Sequence, residues 1–330
     1  MQSSNFIVHH SIFSLVFYFL LKLYARFAVL IYCRKIVVNK PLFLDVDGPL
    51  LIAANHPNSF LDGIILTTIF KNGVYSLARG DVFKNKRINN FLRSIYLLPV
   101  YRTSEGVENL GHNYTTFAAC QQVFQQNGIV IIFSEGRCVN EWHLRPLKKG
   151  TARLAISTWQ KSLPLKVVPV GFNYSGFRNF GKVVHINVGE QMDTKTILEQ
   201  PSEGRQLLMF NAQLEEQLKG LVYEIDKSDP KSVKQVFYPK KEVFKKVVLT
   251  LPALAGWLVH VPFYLTIKTI ADKKFDNDHH DSVVTSLLTL GYPFYLTLLA
   301  ALAGLIGGGI VALCCFILLP FTAWAYVQVK

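Results

Sequence analysis

Leu50-Leu51-Ile52-Ala53-Ala54-Asn55-His56-Pro57-Asn58-Ser59-Phe60-Leu61-Asp62 is the stretch on which the reading of the fold depends. Five apolar residues run into a turn rich in Asn, Pro and Ser, and a second apolar segment follows, so the pattern is that of a strand feeding a helix. One continuous helix through the motif is excluded by geometry, because six positions at roughly 100° each leave His56 and Asp62 about 120° apart. The helix must begin after His56, where Pro57 disfavours the α region for its predecessor and Asn58 or Ser59 can cap. His56 and Asp62 then meet across the turn. A carboxylate that orients an imidazole and stabilises its protonated form makes the His a general base. The same residues also fit a plain capped helix whose Asp sits in the first turn for dipole reasons.

Around this turn, from about residue 36 to 190, short β-rich runs alternate with helical patterns, the sequence form of an α/β domain. Strands are expected at Leu50–Ala54, Val74–Ala78, Tyr96–Val100, Ile129–Phe133, Val167–Val170 and Val183–Val188. Helices are expected near 60–70, 83–93, 108–126 and 149–160, the third with Leu110, Tyr114, Phe117 and Phe124 on one side and a stop at Asn127-Gly128. Leu207, Leu214, Leu218 and Leu221 mark a further amphipathic helix that closes the domain or packs on a partner.

Both ends of the chain read as membrane-associated. Half of the residues are apolar and 17% are charged, with a net charge of +13. From Lys71 to Lys182 there are 16 Lys or Arg against 5 acids, a field suited to a phosphate-bearing partner or an anionic bilayer. Nucleic acid fits the sign, but no recognition motif with interleaved aromatics accompanies it. Residues 11 to 32 are apolar and aromatic, with Lys22 and Arg26 one helical turn apart, as in a helix lying in the interface. No early basic region precedes that run, which argues against a signal peptide. Arg34, Lys35 and Lys40 would hold its end at the cytoplasmic face. Lys231 to Lys246, with six lysines and one acid, is a basic linker into the apolar segment Val247 to Ile270, which is long enough to cross a membrane but carries Pro252, His260 and Pro262, so that it either crosses or is re-entrant or kinked, giving two or three C-terminal membrane helices. Val283 to Val329 is about twice a span, and Gly307-Gly308-Gly309 reads as a hairpin turn between two helices. The domain boundaries expected are thus 1–35, 36–228, 229–246 and 247–330. Five cysteines without C-x-x-C spacing or His partners point to neither a disulfide framework nor a metal site.

Three further stretches carry chemistry-bearing residues at strand ends. They are Leu97-Leu98-Pro99-Val100-Tyr101-Arg102, Ile132-Phe133-Ser134-Glu135-Gly136-Arg137, and Val168-Pro169-Val170, whose Pro is expected at an edge or bulge. Together with Asn55-His56…Asp62, and with Pro146-Leu147-Lys148-Lys149-Gly150 leading into a helix, this ordered set resembles the glycerolipid acyltransferase family over roughly residues 40 to 190. Five residues separate His56 from Asp62 where most of the family has four; a similar long spacing is seen in a branch with a long apolar C-terminal tail. Ser134 stands in place of a Pro, Arg137 in place of Thr or Ser, and Ser94 or Ile95 in place of a Gly.

The resemblance implies an α/β fold, a mixed sheet flanked by helices, with an N-terminal interfacial helix and C-terminal membrane helices. It implies a membrane enzyme with its catalytic domain on the cytoplasmic face, moving a fatty acyl chain from acyl-CoA or acyl carrier protein to a glycerol phosphate acceptor without a cofactor. His56 and Asp62 are the implied catalytic pair. Arg102 and Arg137 would grip the acceptor phosphate, with Arg145 an alternative to Arg137; Glu135, beside Gly136, would bond acceptor hydroxyls or brace the loop. Asn55, Arg79 and Lys149 are further candidates for the site. The implied partners are membrane lipid, the acyl donor and the phosphate-bearing acceptor, with no nucleic acid. Two other readings stay open from sequence: a non-catalytic lipid-binding scaffold of the same fold, and an acyltransferase for a lysolipid without phosphate.

Overall fold

The computed structural model describes residues 12–101, 112–238 and 243–330. Its centre is a seven-stranded mixed sheet. The strands are β1 (Cys33–Val38), β2 (Leu50–Ala54), β3 (Val74–Arg79), β4 (Leu97–Val100), β5 (Ile129–Phe133), β6 (Lys166–Tyr174) and β7 (Lys182–Val188), in the order β1-β7-β6-β2-β5-β3-β4. All neighbouring pairs are parallel except β6 with β7. The strand β2 is the middle of the seven and all five of its residues are fully buried. That explains its unbroken apolar run, since a strand covered on both faces has no polar side to show.

Alternate residues of β2 enter different cores. Leu50, Ile52 and Ala54 pack with α1 (Ile12–Tyr32), α2 (Phe60–Ile69) and the C-terminal helices. Leu51 and Ala53 pack with α4 (His112–Gln125), α5 (Gly150–Trp159) and, by way of Phe210, Leu214 and Leu218, with α7 (Glu203–Leu221). The leucine stripe of α7 thus closes the domain. Two shorter helices, α3 (Lys86–Ser94) and α6 (Thr194–Leu198), and α8 (Pro230–Phe237) complete the domain.

Several expectations are corrected. Pro169 lies in the interior strand β6, opposite Ala53, and not at an edge. It is tolerated because the ladder with β7 begins only at Val170; the Pro169 carbonyl accepts from Gly189 N–H, and its missing N–H faces the side on which β7 has ended. Tyr114, in the first turn of α4, is 81% exposed, whereas Phe124 near its other end is buried. The edge strand β1 was hidden within the basic flank of the N-terminal apolar run, its Arg34 and Lys35 being charges of the kind that blunt an edge. The first part of the basic linker is the helix α8, seated through Phe237 on Val183 and Ile225.

The helix α1 packs on the domain, with the Tyr18 and Tyr96 rings 4.1 Å apart, and Lys22 Nζ donates to the carbonyls of Lys71 and Asn72 beyond the end of α2. The helix α9 (Val243–Lys274) continues through Pro252 and Pro262, and α10 (His280–Val329) is broken only at Gly308, whose φ of 78° and ψ of 179° leave the helical region. Gly304 and Ala312 then meet across the break, which makes α10 a two-armed hairpin. Among the described residues α1, α9 and α10 are long and apolar enough to cross a membrane. Where α1, α9 and the two arms converge they line an open apolar cleft of about 380 Å³.

Candidate active site

The strands β2 and β5 deliver their C-terminal ends side by side, Ala54 opposite Phe133, so the turns that follow them share one mouth of the sheet. This is where open α/β sheets bind ligands. The turn after β2 places His56 Nδ1 2.8 Å from Asp62 Oδ2. Asp62 lies in the first turn of α2 and is fully buried. Two more donors reach it: the Asn58 N–H at 2.9 Å on Oδ2 and the Tyr174 O–H at 2.6 Å on Oδ1. A carboxylate surrounded by donors requires that His56 present its Nδ1 proton to it. The Nε2 lone pair is then the free nitrogen, and among the described residues it has no hydrogen-bond partner. The imidazole stacks on the Phe133 ring with centroids 3.9 Å apart, and its side chain is 13% exposed.

The turn after β5 holds His56 from its backbone. Glu135 Oε2 accepts the His56 N–H at 3.0 Å and Oε1 accepts the Arg145 N–H at 3.0 Å, while the Val139 N–H donates to the His56 carbonyl. Both carboxylate oxygens of Glu135 are therefore committed to the loop. Burial pushes the Glu135 carboxyl up to about 7; the Arg145 and His56 N–H bonds oppose the rise and the Asp62 charge adds to it. Gly136 sits at φ +72°, and a Cβ there would lie 2.9 Å from Lys148 Cγ. Asn55 is also structural in its contacts, with Oδ1 accepting from Phe172 N–H and Nδ2 donating to the Phe172 carbonyl.

The cations divide into free and engaged. Arg137 and Lys149 are exposed and have no ion-pair partner among the described residues. Arg145 pairs with Glu141 at 2.7 Å and Arg79 with Asp81 at 2.6 Å. Arg102 lies outside the described residues. Ser134, standing where the family pattern has Pro, accepts from Thr151 Oγ1 and receives the Lys148 N–H on its carbonyl, which anchors the segment leading to α5.

Sequence reasoning missed two contributors. Tyr174 ends β6, well beyond the Val-Pro-Val segment, and burial, followed by the Asp62 charge, holds its phenol well above the ordinary value, so it remains a donor. Its signal was the continuation of the β6 apolar alternation. The second is the polar segment between α9 and α10, which packs onto the turn that carries His56; four Asp between two apolar runs marked it as unusual. Cys138, close by, is no rival nucleophile, since burial and the Asp62 charge raise its thiol pKa and keep it protonated. Among the described residues no cluster of His, Cys, Asp and Glu is arranged to hold a metal ion.

The family model described as Acyltransferase matches residues 35–173, from β1 to the end of β6. No curated protein matches the chain. Among solved structures it is similar to the crystal structure of PlsC, the 1-acyl-sn-glycerophosphate (LPA) acyltransferase from Thermotoga maritima. The identity is 16% and the TM-score 0.41, with 66% of this chain and 89% of that one covered.

Proposed function

We propose that this chain, whose residues 35–173 match the family model described as Acyltransferase, is an enzyme that transfers acyl groups and that it acylates a glycerol phosphate at a membrane surface, with His56 as the general base. The acceptor in this reading is 1-acylglycerol 3-phosphate or glycerol 3-phosphate, and the donor is acyl-CoA or acyl carrier protein. The observation that carries the assignment is the 2.8 Å bond from His56 Nδ1 to a carboxylate with three donors, which leaves Nε2 as a free acceptor at the mouth of the sheet.

His56 Nε2 takes the proton from the acceptor hydroxyl as the oxygen attacks the thioester carbonyl. The tetrahedral intermediate collapses, the C–S bond breaks, and the imidazolium returns its proton to the departing thiolate. The products are the new ester and the free thiol, with no acyl group on the enzyme. Asp62 balances the imidazolium charge, and its other two donors keep it from turning away. Arg137 supplies an unneutralised guanidinium two residues beyond the Glu135 brace, suited to charge-assisted bonds with the acceptor phosphate. Arg102 is a second candidate for holding the same phosphate. The membrane-length helices support a reaction at the membrane surface, where lipid substrates and products reside, and the basic flank of α1 supports the cytoplasmic face.

The test uses membranes holding the full chain, offered defined acyl donors with glycerol 3-phosphate, its monoacyl derivative, or a lysolipid without phosphate, and products are read by mass. A positioned base contributes on the order of 10² to 10⁴ in rate, so His56→Ala and Asp62→Asn should lose at least about a hundredfold in kcat. Arg137→Glu should raise KM for a phosphate acceptor and leave a neutral one unchanged. Near wild-type turnover by His56→Ala would refute the base; binding of lysophospholipid without turnover by the intact chain would favour the scaffold reading.

A further inference from the structure

A turn one residue longer than the common pattern needs support for its extra backbone groups, and the structure locates that support far away in sequence. Ser59 occupies the position before α2 with φ 53° and ψ −142°, a conformation L-residues adopt only when their surroundings impose it. Its hydroxyl does not cap the helix. It pairs instead with His279 Nδ1 at 2.7 Å, and the Ser59 N–H donates to Cys138 Sγ. The Leu61 N–H is shared between the Asn58 carbonyl and Ser282 Oγ, each at 3.2 Å, and that hydroxyl donates to the Asn58 carbonyl at 3.0 Å. Asn58 Nδ2 donates to Asp281 Oδ2 at 2.8 Å. The Pro57 carbonyl accepts from Asn140 Nδ2, and Asn140 is itself held by Asp278, through its N–H at 3.0 Å. Each residue from Pro57 to Ser59 is thus fixed by residues 278–282, directly or through one intermediary.

Asp281 is the anchor of this set. It is fully buried, and its carboxylate accepts from Asn58, from the Tyr32 hydroxyl of α1 and from the ammonium of Lys182 on β7, which is also buried. A buried carboxylate holding three donors from three elements is well satisfied, which makes it a fixed point to which a turn can be tied. The tie reaches the chemistry in one step. The Asn58 side chain binds Asp281, and the Asn58 N–H binds the same Asp62 oxygen that holds His56 Nδ1.

We infer that the foot of the C-terminal hairpin completes the active site: Asp281 and Ser282, acting through Asn58, are positioning residues that set the His56–Asp62 geometry. This rests on the acyl-transfer reading of His56. On this account the long turn and the apolar C-terminal hairpin belong together, because the side chains of Asn58 and Ser59 find their partners in residues 279–281 and not within the turn.

The experiment uses the full chain in membranes, with Asn58→Ala, Ser282→Ala and Asp281→Asn measured beside His56→Ala. Small displacements of a catalytic group cost up to about a hundredfold. Asn58→Ala and Ser282→Ala should therefore lower kcat roughly 10- to 100-fold with KM for both substrates within about threefold. Thermal unfolding reports whether each variant is folded, and Asp281→Asn, which disturbs the Lys182 pair, is read only in its folded fraction. If Asn58→Ala and Ser282→Ala are folded and match wild type in kcat while His56→Ala is inactive, the positioning role is wrong and the base stands. If His56→Ala is itself active, the base assignment is what fails. Loss of activity that only tracks loss of folded protein, with kcat per folded enzyme unchanged, overturns the inference as well.

Discussion

Glu135 shows how a buried acid can serve geometry at a cost to stability. Its folded pKa of about 7 exceeds the ordinary 4.5, so between those values the folded chain keeps a proton that the unfolded chain has released. The sign follows: the stabilisation is complete below about pH 4.5 and is lost as pH rises through 7, a loss of ~3 kcal/mol at 1.36 kcal/mol per unit. What is gained at neutral pH is a charged acceptor for the His56 and Arg145 amides, both of which an ionised carboxylate can hold. Glu135→Gln removes the charge but turns an NH₂ toward one of those N–H groups. The variant should gain in melting temperature relative to wild type between pH 5 and pH 8, and at pH 8 it should be the slower enzyme. Melting curves at the two pH values check the first part and initial rates the second; parallel pH dependence in both proteins would show that Glu135 does not titrate in this range.

The loop that follows β5 owes its shape to Gly136, whose φ of +72° lies in the left-handed region. A methyl group there would cost about 1–2 kcal/mol in backbone conformation, and it would press on the flexible Lys148 side chain at 2.9 Å. Since Glu135 precedes it directly, Gly136→Ala should lower the melting temperature by a few degrees and reduce kcat more than it alters KM. An unchanged kcat would mean that the Glu135 brace tolerates the shift. Elements of this kind were legible in sequence because their causes are local. The run of five apolar residues before His56, the Pro57 break and the Glu-Gly pair after Ile132-Phe133 each declare themselves within a few residues. Pro169 misled because the rule that keeps Pro out of central strands concerns hydrogen bonds, and the side on which β7 stops cannot be read from the residues around Pro169. The Asn58 side chain meets Asp281 from 223 positions away. No periodicity encodes such a contact, so the site's first half could be read and its support could not.

For the molecule as a whole, the contacts of the C-terminal helices decide how the chain sits in a bilayer. The loop composition could not, since Ala271–Ser282 mixes two Lys with four Asp. Both feet of the α10 hairpin rest on the catalytic domain. The first is tied there by Asp281 to Lys182 and Asn58, the second by Gln328 Nε2 to the Arg34 carbonyl and by Lys330 Nζ to the Phe180 carbonyl. The helix α9 joins the two feet, its start bonded through Lys245 to Gln328 at 2.6 Å and its end through Asp272 to His280 at 2.7 Å. A helix whose two ends both meet the catalytic side does not carry the chain across. The arm from Gly309 to Val329 rises about 30 Å at 1.5 Å per residue, close to the thickness of a hydrocarbon core. The hairpin is therefore expected to enter with its Gly308 tip leading and to return, with Lys330 on the same side as His56. A membrane-impermeant maleimide applied to sealed vesicles of one orientation tests this, with one cysteine appended after Lys330 and another at exposed Lys149, in a chain whose native cysteines are replaced. The two should be labelled from the same side. Labelling from opposite sides would require α9 to cross, and the bonds of both its ends to the hairpin feet would have to be broken.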